Sequence, residues 1–257
     1  MTRMVDFTLY GRVALVTGAS RGLGRHFAGV LAQAGAAVAL AARDEKLLIE
    51  VKAEIESAGG RAATVPLDVT DGKSVKACVA ATERALGPID ILVNNAGIAV
   101  SKPLLDHSEG DWDRVLDTNL KGAWLLSREL ASRWLELKRA GRIVNISSLL
   151  GLRTARGVPS YVAAKAGLDH LTRTMAVELG RFGITVNAIA LGYVETDMNR
   201  DFLRSNTGKA LIARIPAGRV GAPDDLDGAL LLLASPAGAY LNGVVLPVDG
   251  GHAVSVI

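Results

Sequence analysis

The sequence is poor in residues on which several classes of protein depend. Of its 257 residues one is cysteine (Cys78), four are histidine and 4% are aromatic. A single cysteine excludes an intrachain disulfide, so nothing requires an oxidising compartment. The helical pattern around Cys78 predicts a core position. His26, His107, His170 and His252 do not cluster and show no metal-binding spacing, so we expect no catalytic metal.

Long apolar runs and a strong charge imbalance are also missing. The longest apolar run, ALLLLA at 229–234, is far shorter than the ~20 residues that span a bilayer. The start of the chain has no apolar stretch long enough for a secretory signal. The formal net charge is only +3, and no basic stripe or tail of the nucleic-acid-binding kind is present. We therefore expect a soluble, cytoplasmic protein with no nucleic-acid and no membrane partner.

Hydrophobic residues, by contrast, make up 49% of the chain and recur in short runs. Several of these runs are apolar nearly throughout, as strands buried on both faces are. They alternate with amphipathic helical segments. The predicted strands are 12–18, 36–42, 62–68, 90–96, 141–147, 184–190 and 243–249. The pattern predicts an α/β fold: one Rossmann-like, doubly wound domain over 1–257, with a seven-stranded parallel sheet and helices on both faces.

The first predicted strand runs into a glycine-rich loop, TGASRGLG at 17–24, and a helical pattern follows at once. Glycines there let the backbone turn sharply and approach a pyrophosphate, and the start of the helix favours an anion. The loop therefore predicts a dinucleotide-phosphate site, although its spacing is GxxxGxG and not GxGxxG. Its predicted cofactor-binding residues are Gly18, Ser20, Arg21, Gly22, Leu23 and Gly24.

The choice of dinucleotide is read at the end of the second strand. An acid there would select NAD through the ribose hydroxyls, whereas arginine holds a 2′-phosphate. The sequence places Ala42 at that position and Arg43 after it. Two guanidiniums, Arg43 and Arg21, suit a dianion, so we favour NADP(H) over NAD(H). The alternative is that Arg43 pairs on the surface with Asp44 or Glu45.

Tyr161 and Lys165 stand four residues apart in a predicted helix, which places both side chains on one face. A phenol with a pKa of about 10 is a poor acid–base catalyst at neutral pH. A neighbouring ammonium favours the phenolate and lowers that pKa. The pair is therefore a candidate proton donor with its tuning cation, and a surface accident is the alternative.

Further motifs stand in order along the chain: Asp68-Val69, Asn94 to Gly97, Asn119, Ser148, and the loop after the sixth strand. With TGASRGLG and Tyr161-x-x-x-Lys165, they resemble the short-chain dehydrogenase/reductase family, in its subgroup of about this length. The resemblance covers essentially the whole chain. It implies a catalytic tetrad of Asn119, Ser148, Tyr161 and Lys165, with Tyr161 as the acid or base. It also implies that the helix of Tyr161 and the one spanning roughly 110–137 pack on a partner subunit, in a homotetramer or a homodimer.

The same resemblance assigns the remaining cofactor contacts. Asp68 would hold the adenine amino group beside Val69, and Asn95, Ala96 and Gly97 would border the cofactor. Tyr161 and Lys165 would reach the nicotinamide ribose, and Gly192, Val194 and Thr196 would meet the nicotinamide amide. Leu191 stands where the family usually has proline, which predicts a looser loop. Residues 193–218 are expected to form a mobile lid over a small carbonyl or alcohol substrate.

Three functions remain open. The first is an NADP(H)-dependent reductase of a 3-oxoacyl thioester, whose relatives hold an acidic carrier with basic residues. Arg139 stands at about one such position, but the other reads Phe182, with Arg181 next to it, so the match is partial. The second is a sugar-acid or polyol dehydrogenase of the gluconate 5-dehydrogenase type, similar in TDMN, RIPAGR and the tail VDGGHAVSVI. The third is a catalytically silent nucleotide sensor, which the presence of all four tetrad residues disfavours.

Overall fold

The structure, a computed structural model, describes residues 5–195 and 200–255. Seven parallel strands form one sheet in the order β3-β2-β1-β4-β5-β6-β7. They are β1 Val13–Thr17, β2 Ala37–Ala42, β3 Arg61–Pro66, β4 Ile91–Asn94, β5 Gly141–Ser148, β6 Ile184–Leu191 and β7 Val245–Val248. Each lies within one residue of a predicted segment or inside it. The predicted single doubly wound domain is confirmed.

Ten α-helices within the described ranges connect and cover these strands. They are α1 Gly22–Gln33, α2 Glu45–Ser57, α3 Gly72–Leu86, α4 Glu109–Leu116, α5 Gly122–Glu136, α6 Leu149–Leu152, α7 Pro159–Leu179, α8 Arg200–Arg204, α9 Asn206–Ile212 and α10 Asp227–Ala234. A π-helical turn, Asp117–Lys121, joins α4 to α5. None of the helices in these ranges is long and apolar enough to cross a membrane.

The sheet is buried on both faces because its strands alternate between two cores. In β1, Ala14 and Val16 pack with Phe27 of α1 and with residues of α2 and α10. Val13 and Leu15 point to the other face, where α3, α5 and α7 pack. A parallel strand covered on both sides is apolar at most positions, which is why these segments lack the alternation of a half-exposed strand.

Cys78 lies in α3 and is 1% exposed. Burial raises the pKa of its thiol to about 12, so the thiolate needed for nucleophilic chemistry does not form at neutral pH. The predicted core role of this cysteine is confirmed.

Candidate active site

The predicted site residues meet at the carboxyl ends of the strands, where the strand order reverses. β1 lies between β2 and β4, so the chain leaves it on one side and returns on the other. Open α/β sheets bind ligands in the crevice at such a switch point. The glycine loop leaves β1 here, Asn95 follows β4, and Ser148 ends β5.

The glycine loop turns in the way its composition predicts. Gly18 and Gly22 have φ angles of +64° and +52°, in the left-handed region that favours glycine. A β-carbon on Gly24 would stand 2.1 Å from the carbonyl oxygen of Gly18, so this residue must be glycine for helix and loop to pack. A β-carbon on Gly22 would meet nothing within 4 Å, which leaves open space beside the start of α1.

That open space fits a dinucleotide phosphate. Arg21 precedes α1 without a side-chain cap, and the first turn of the helix carries no acid. The amide groups of this turn therefore face the open space with their partial positive charge. The backbone amides at the start of α1 supply the hydrogen-bond donors that a pyrophosphate needs, and the glycines leave room for it.

Asn94 and Asn95 tie the loop after β4 to its neighbours. Asn95 donates through its side-chain amide to the carbonyl oxygen of Thr17 at 2.9 Å. The Thr17 hydroxyl accepts from the backbone amides of Asn95 and Ala96, both at 2.9 Å. Asn94 donates to Oδ1 of Asn145 at 2.9 Å. These bonds hold Asn95, Ala96 and Gly97 against the glycine loop.

The residues predicted to select the dinucleotide are Arg21, in the glycine loop, and Arg43, directly after β2. Arg21 donates to Oδ2 of Asp44 at 3.4 Å, and Asp44 also caps α2 by accepting from the amide of Leu47. The expected surface partner of Arg43 is thus paired with Arg21. The charge of Arg43 instead helps to lower the pKa of Asp68, which places the two side chains near each other.

Asp68 also forms the turn that its sequence context allows. Its Oδ1 accepts from the amide and the hydroxyl of Thr70, at 2.9 and 2.7 Å, and these bonds are the main cause of its lowered pKa. Val69 is buried and packs on Gly122, where an added β-carbon would stand 2.9 Å from its side chain. The turn holds Asp68 and Val69 at the end of β3.

Asn119 lies within the π-helical turn, 1% exposed. Its Oδ1 accepts from the amide of Ile98 and its Nδ2 donates to the carbonyl oxygen of Ile98, both at 2.8 Å. The π-helical turn holds one residue more than an α-helical turn, and its Asn119 side chain points toward the loop after β4. Such turns are frequent at functional sites. The sequence showed the asparagine but not this local change of helix.

Ser148 and Tyr161 come together from β5 and α7. Pro159 opens α7, where a missing amide hydrogen costs nothing, and Tyr161 follows in the first turn. Burial raises the pKa of Tyr161, the hydroxyl of Ser148 acts in the opposite direction, and Tyr193 adds to the rise. The two side chains are therefore close enough for the Ser148 hydroxyl to act on the phenol.

Lys165 is 4% exposed, and its ammonium donates to the carbonyl oxygen of Ile146 at 2.7 Å. Its Nζ lies 5.6 Å from the centre of the Tyr161 ring. Burial lowers the pKa of Lys165 to about 8. We expected the cation to lower the pKa of Tyr161, but that pKa is raised, because burial of the phenol dominates.

In the loop after β6, Leu191 stands where the family usually has proline. Leu191 extends β6 and pairs with Ser148 and Val248. Gly192 follows because an added β-carbon would stand 2.6 Å from Cα of Asp249. Val194 is buried and bridges to Gly221. The predicted contact Thr196 lies outside the described residues.

A cavity of about 480 Å³ lies next to the residues predicted to be catalytic. Its wall begins at Leu149, directly after Ser148, and includes Tyr193, whose ring centre lies 5.8 Å from that of His252. Three basic side chains, Arg153, Arg156 and Arg214, line the same cavity. The sequence did not predict this cluster, because its members come from segments 50 and more residues apart.

Two other features lie apart from the predicted site residues. A larger cavity, about 600 Å³, opens at the amino-terminal edge of the sheet between Arg12, Glu54 and Arg61, and it contains none of the predicted site residues. Nε2 of His26, in α1, lies 2.7 Å from Oδ1 of Asp227 and 4.0 Å from Oδ1 of Asp224, at the start of α10 and in the turn before it. The expectation that no catalytic metal is present stays a prediction.

A dinucleotide cradle at the switch point, together with the Ser148, Tyr161 and Lys165 cluster beside it, defines a dinucleotide-dependent oxidoreductase. A family model described as Enoyl-(Acyl carrier protein) reductase matches residues 18–253. The chain belongs to the short-chain dehydrogenase/reductase family. It is an oxidoreductase that acts on hydroxyl and carbonyl groups.

Curated relatives and solved structures agree with this assignment. The chain is 41% identical to gluconate 5-dehydrogenase of Gluconobacter oxydans, over 97% of this chain and 98% of the relative. It is 40% identical to a 3-oxoacyl-[acyl-carrier-protein] reductase of Vibrio harveyi, over 95% and 98%. The structure of a gluconate 5-dehydrogenase from Burkholderia cenocepacia, in complex with NADP and tartrate, superposes with a TM-score of 0.93 at 36% identity, covering 98% of this chain and 99% of that one.

Proposed function

We propose that the protein is an NADP(H)-dependent oxidoreductase that interconverts a ketone and a secondary alcohol at the Ser148, Tyr161 and Lys165 cluster. The observation that carries the proposal is the meeting of this cluster with the glycine cradle at one edge of the sheet. NADP(H) is supported by Arg21 in the glycine loop and Arg43 directly after β2, and by relatives whose structures hold NADP. The cofactor supplies or accepts the hydride.

The protein's own side chains then handle the substrate oxygen and its proton. Ser148 donates a hydrogen bond to that oxygen and stabilises the negative charge that develops on it. Tyr161 gives the oxygen a proton in reduction and takes it back in oxidation. Lys165 holds the ribose hydroxyls and supplies positive charge near the phenol, and Asn119 anchors the proton path toward Lys165.

The first substrate candidate is a 3-oxoacyl thioester, supported by 40% identity to curated reductases of that type. The residues predicted to hold its acidic carrier are largely engaged within the chain. Arg139 donates to Oδ1 of Asp90 at 2.8 Å, and Arg181 stacks over the Phe182 ring at 4.6 Å from its centre. For this candidate the carrier surface would have to displace an existing ion pair.

The second candidate is a keto or hydroxy sugar acid, and the arginine-lined cavity favours it. Arg153 donates to the carbonyl oxygens of Ala253 and Ser255 and so fixes the C-terminal segment against the cavity. In the part of the chain that is described, neither Arg156 nor Arg214 has a carboxylate partner. A guanidinium at the wall of a partly enclosed cavity suits a substrate carboxylate, which it binds through two parallel hydrogen bonds.

The substrate is decided by following NADPH absorbance with a short 3-oxoacyl thioester and with a panel of keto sugar acids. Oxidation with the sugar acids, and a KM raised about tenfold to hundredfold in Arg214→Gln, is expected for a carboxylate held by that residue. Arg139→Gln is the matched control and leaves that KM unchanged. Turnover of the thioester alone, sensitive to Arg139→Gln, would support the first candidate. Silence across a wide carbonyl panel with NADPH still bound would favour the sensor.

Subunit assembly and the lid belong to the same proposal. Trp112 of α4 and Trp124 of α5 are each 40% exposed, and Val177 of α7 is 84% exposed, so the helices that pack on a partner in the family carry exposed apolar side chains here. We infer a homotetramer or homodimer in the cytoplasm, with residues 193–218 as the lid. Light scattering at several protein concentrations measures the subunit number, and a monomer throughout would contradict the inference.

A further inference from the structure

A third polar side chain continues the row formed by Tyr161 and Lys165. Asp169 stands one helical turn beyond Lys165, so the three side chains share one face of α7. Lys165 is 4% exposed and Asp169 is 1% exposed. A buried charge costs several kcal/mol unless an opposite charge or hydrogen bonds compensate it. Two charged side chains buried on successive turns of one helix therefore require an explanation.

The surroundings of Asp169 are shaped to admit its carboxyl group. Gly151 of α6 packs on it so closely that an added β-carbon would stand 2.3 Å from Oδ2 of Asp169. Neither carboxyl oxygen has a hydrogen-bond partner of good geometry among the described residues, and neither does the Ser147 hydroxyl beside it. The carboxyl is thus accommodated without serving as a hydrogen-bonded link between α7 and β5.

The charges on this face act on one another. Burial lowers the pKa of Lys165 to about 8, and the charge of Asp169 opposes this fall. Burial raises the pKa of Asp169, and the hydroxyl of Ser147 and the charges of Arg173, Lys165 and His170 oppose that rise. Tyr193 faces Tyr161 from the loop after β6. β5 and α6 contribute to this face a carbonyl, a hydroxyl and a glycine, none of which is charged.

We propose that Asp169 is a positioning residue of the active site, whose buried carboxylate is the counter-charge that keeps Lys165 protonated. This inference rests on the proposed roles of Tyr161 and Lys165. A nearby negative charge disfavours the loss of a proton from any group, whether ammonium or phenol. Asp169 therefore holds Lys165 in its protonated form to higher pH, which keeps a positive charge near the phenol during carbonyl reduction.

The test is Asp169→Asn, which keeps the shape of the side chain and removes its charge. The alkaline fall of kcat/KM for carbonyl reduction is expected about one pH unit lower than in the wild type, or lower still. The dissociation constant for NADPH is measured by fluorescence at a series of pH values without substrate. Its rise with pH is expected to begin about one pH unit lower in Asp169→Asn than in the wild type. The control is Ser160→Ala, which removes a buried hydroxyl of α7 and no charge, so it is expected to shift neither profile.

An unchanged profile in Asp169→Asn, or the same shift in Ser160→Ala, would overturn the proposal and leave a packing role. The NADPH measurement needs no turnover, so it tests the counter-charge even if the proposed substrates fail. If Asp169→Asn does not fold, infrared spectra of the wild type decide. If Asp169 is ionised, as proposed, the wild type shows no band from a protonated, buried carboxyl at pH 7. The other buried aspartates of the described residues, Asp90 and Asp111, are ion-paired, so such a band would be assigned to Asp169. Such a band would overturn the proposal.

Discussion

The ammonium of Lys165 donates a 2.7 Å hydrogen bond to the carbonyl oxygen of Ile146, inside the molecule and 5.6 Å from the centre of the Tyr161 ring. This bond joins α7 to the end of β5, one residue before Ser147 and two before Ser148. It holds the cation where the nicotinamide ribose is expected. Because burial lowers the pKa of Lys165 to about 8, the charge on this side chain is incomplete at mildly alkaline pH.

The first prediction is that NADPH binding takes up a proton at pH 8 to 9. Ribose hydroxyls and cofactor phosphates favour the ammonium, so bound cofactor raises the pKa of Lys165 above its value of about 8 in the free protein. Titration calorimetry in buffers of different ionisation enthalpy measures the uptake. In the matched variant Lys165→Met the uptake disappears. Proton release in the wild type would contradict the assignment of Lys165.

The second prediction concerns the proton donor. Tyr161→Phe removes the hydroxyl and keeps the ring, so turnover is expected to fall at least about a thousandfold. The NADPH dissociation constant is expected to change only a fewfold, because one hydrogen bond contributes about 1 kcal/mol. Tyr193→Phe is the control, since it removes a hydroxyl from the same pocket without removing the acid. Turnover retained in Tyr161→Phe would contradict the mechanism.

The third prediction concerns the choice of dinucleotide. Ala42→Asp places a carboxylate at the end of β2, where it repels a 2′-phosphate and accepts from ribose hydroxyls. The dissociation constant for NADPH is expected to rise tenfold to hundredfold, on the order of 1.4–2.8 kcal/mol, while that for NADH falls. Arg43→Ala is expected to weaken NADPH binding without improving NADH binding. An unchanged ratio in both variants would mean that selection lies elsewhere.

The fourth prediction uses two glycines of α1. Gly24→Ala introduces a β-carbon 2.1 Å from the Gly18 carbonyl oxygen, so the loop and helix must separate. Unfolding is expected to become easier by about 1–3 kcal/mol, and NADPH binding to weaken. Gly29→Ala in the same helix meets nothing within 4 Å and is expected to stabilise the protein by up to about 1 kcal/mol. Denaturant unfolding and NADPH titration compare the two, and equal effects would contradict the close-packing argument.

Several features followed from local rules alone. The apolar runs predicted seven strands of a parallel sheet because a strand covered on both faces is apolar at most of its positions. The glycine loop and the four-residue spacing of Tyr161 and Lys165 are likewise local, since turns and helices are built from neighbouring residues. The prediction that Lys165 lowers the pKa of Tyr161 failed, because the cost of burying the phenol depends on its surroundings in three dimensions.

By itself the sequence determined the order of strands and helices, the place of the phosphate loop, and the residue types of the proposed tetrad. The tertiary structure alone decided that Arg156 and Arg214 line one cavity, that a π-turn aims Asn119 at Ile98, and that Asp169 is buried against Gly151. The physical reason is range. Backbone geometry and hydrophobic periodicity act within a few residues, whereas cavities and buried charges arise where segments distant in the chain pack together.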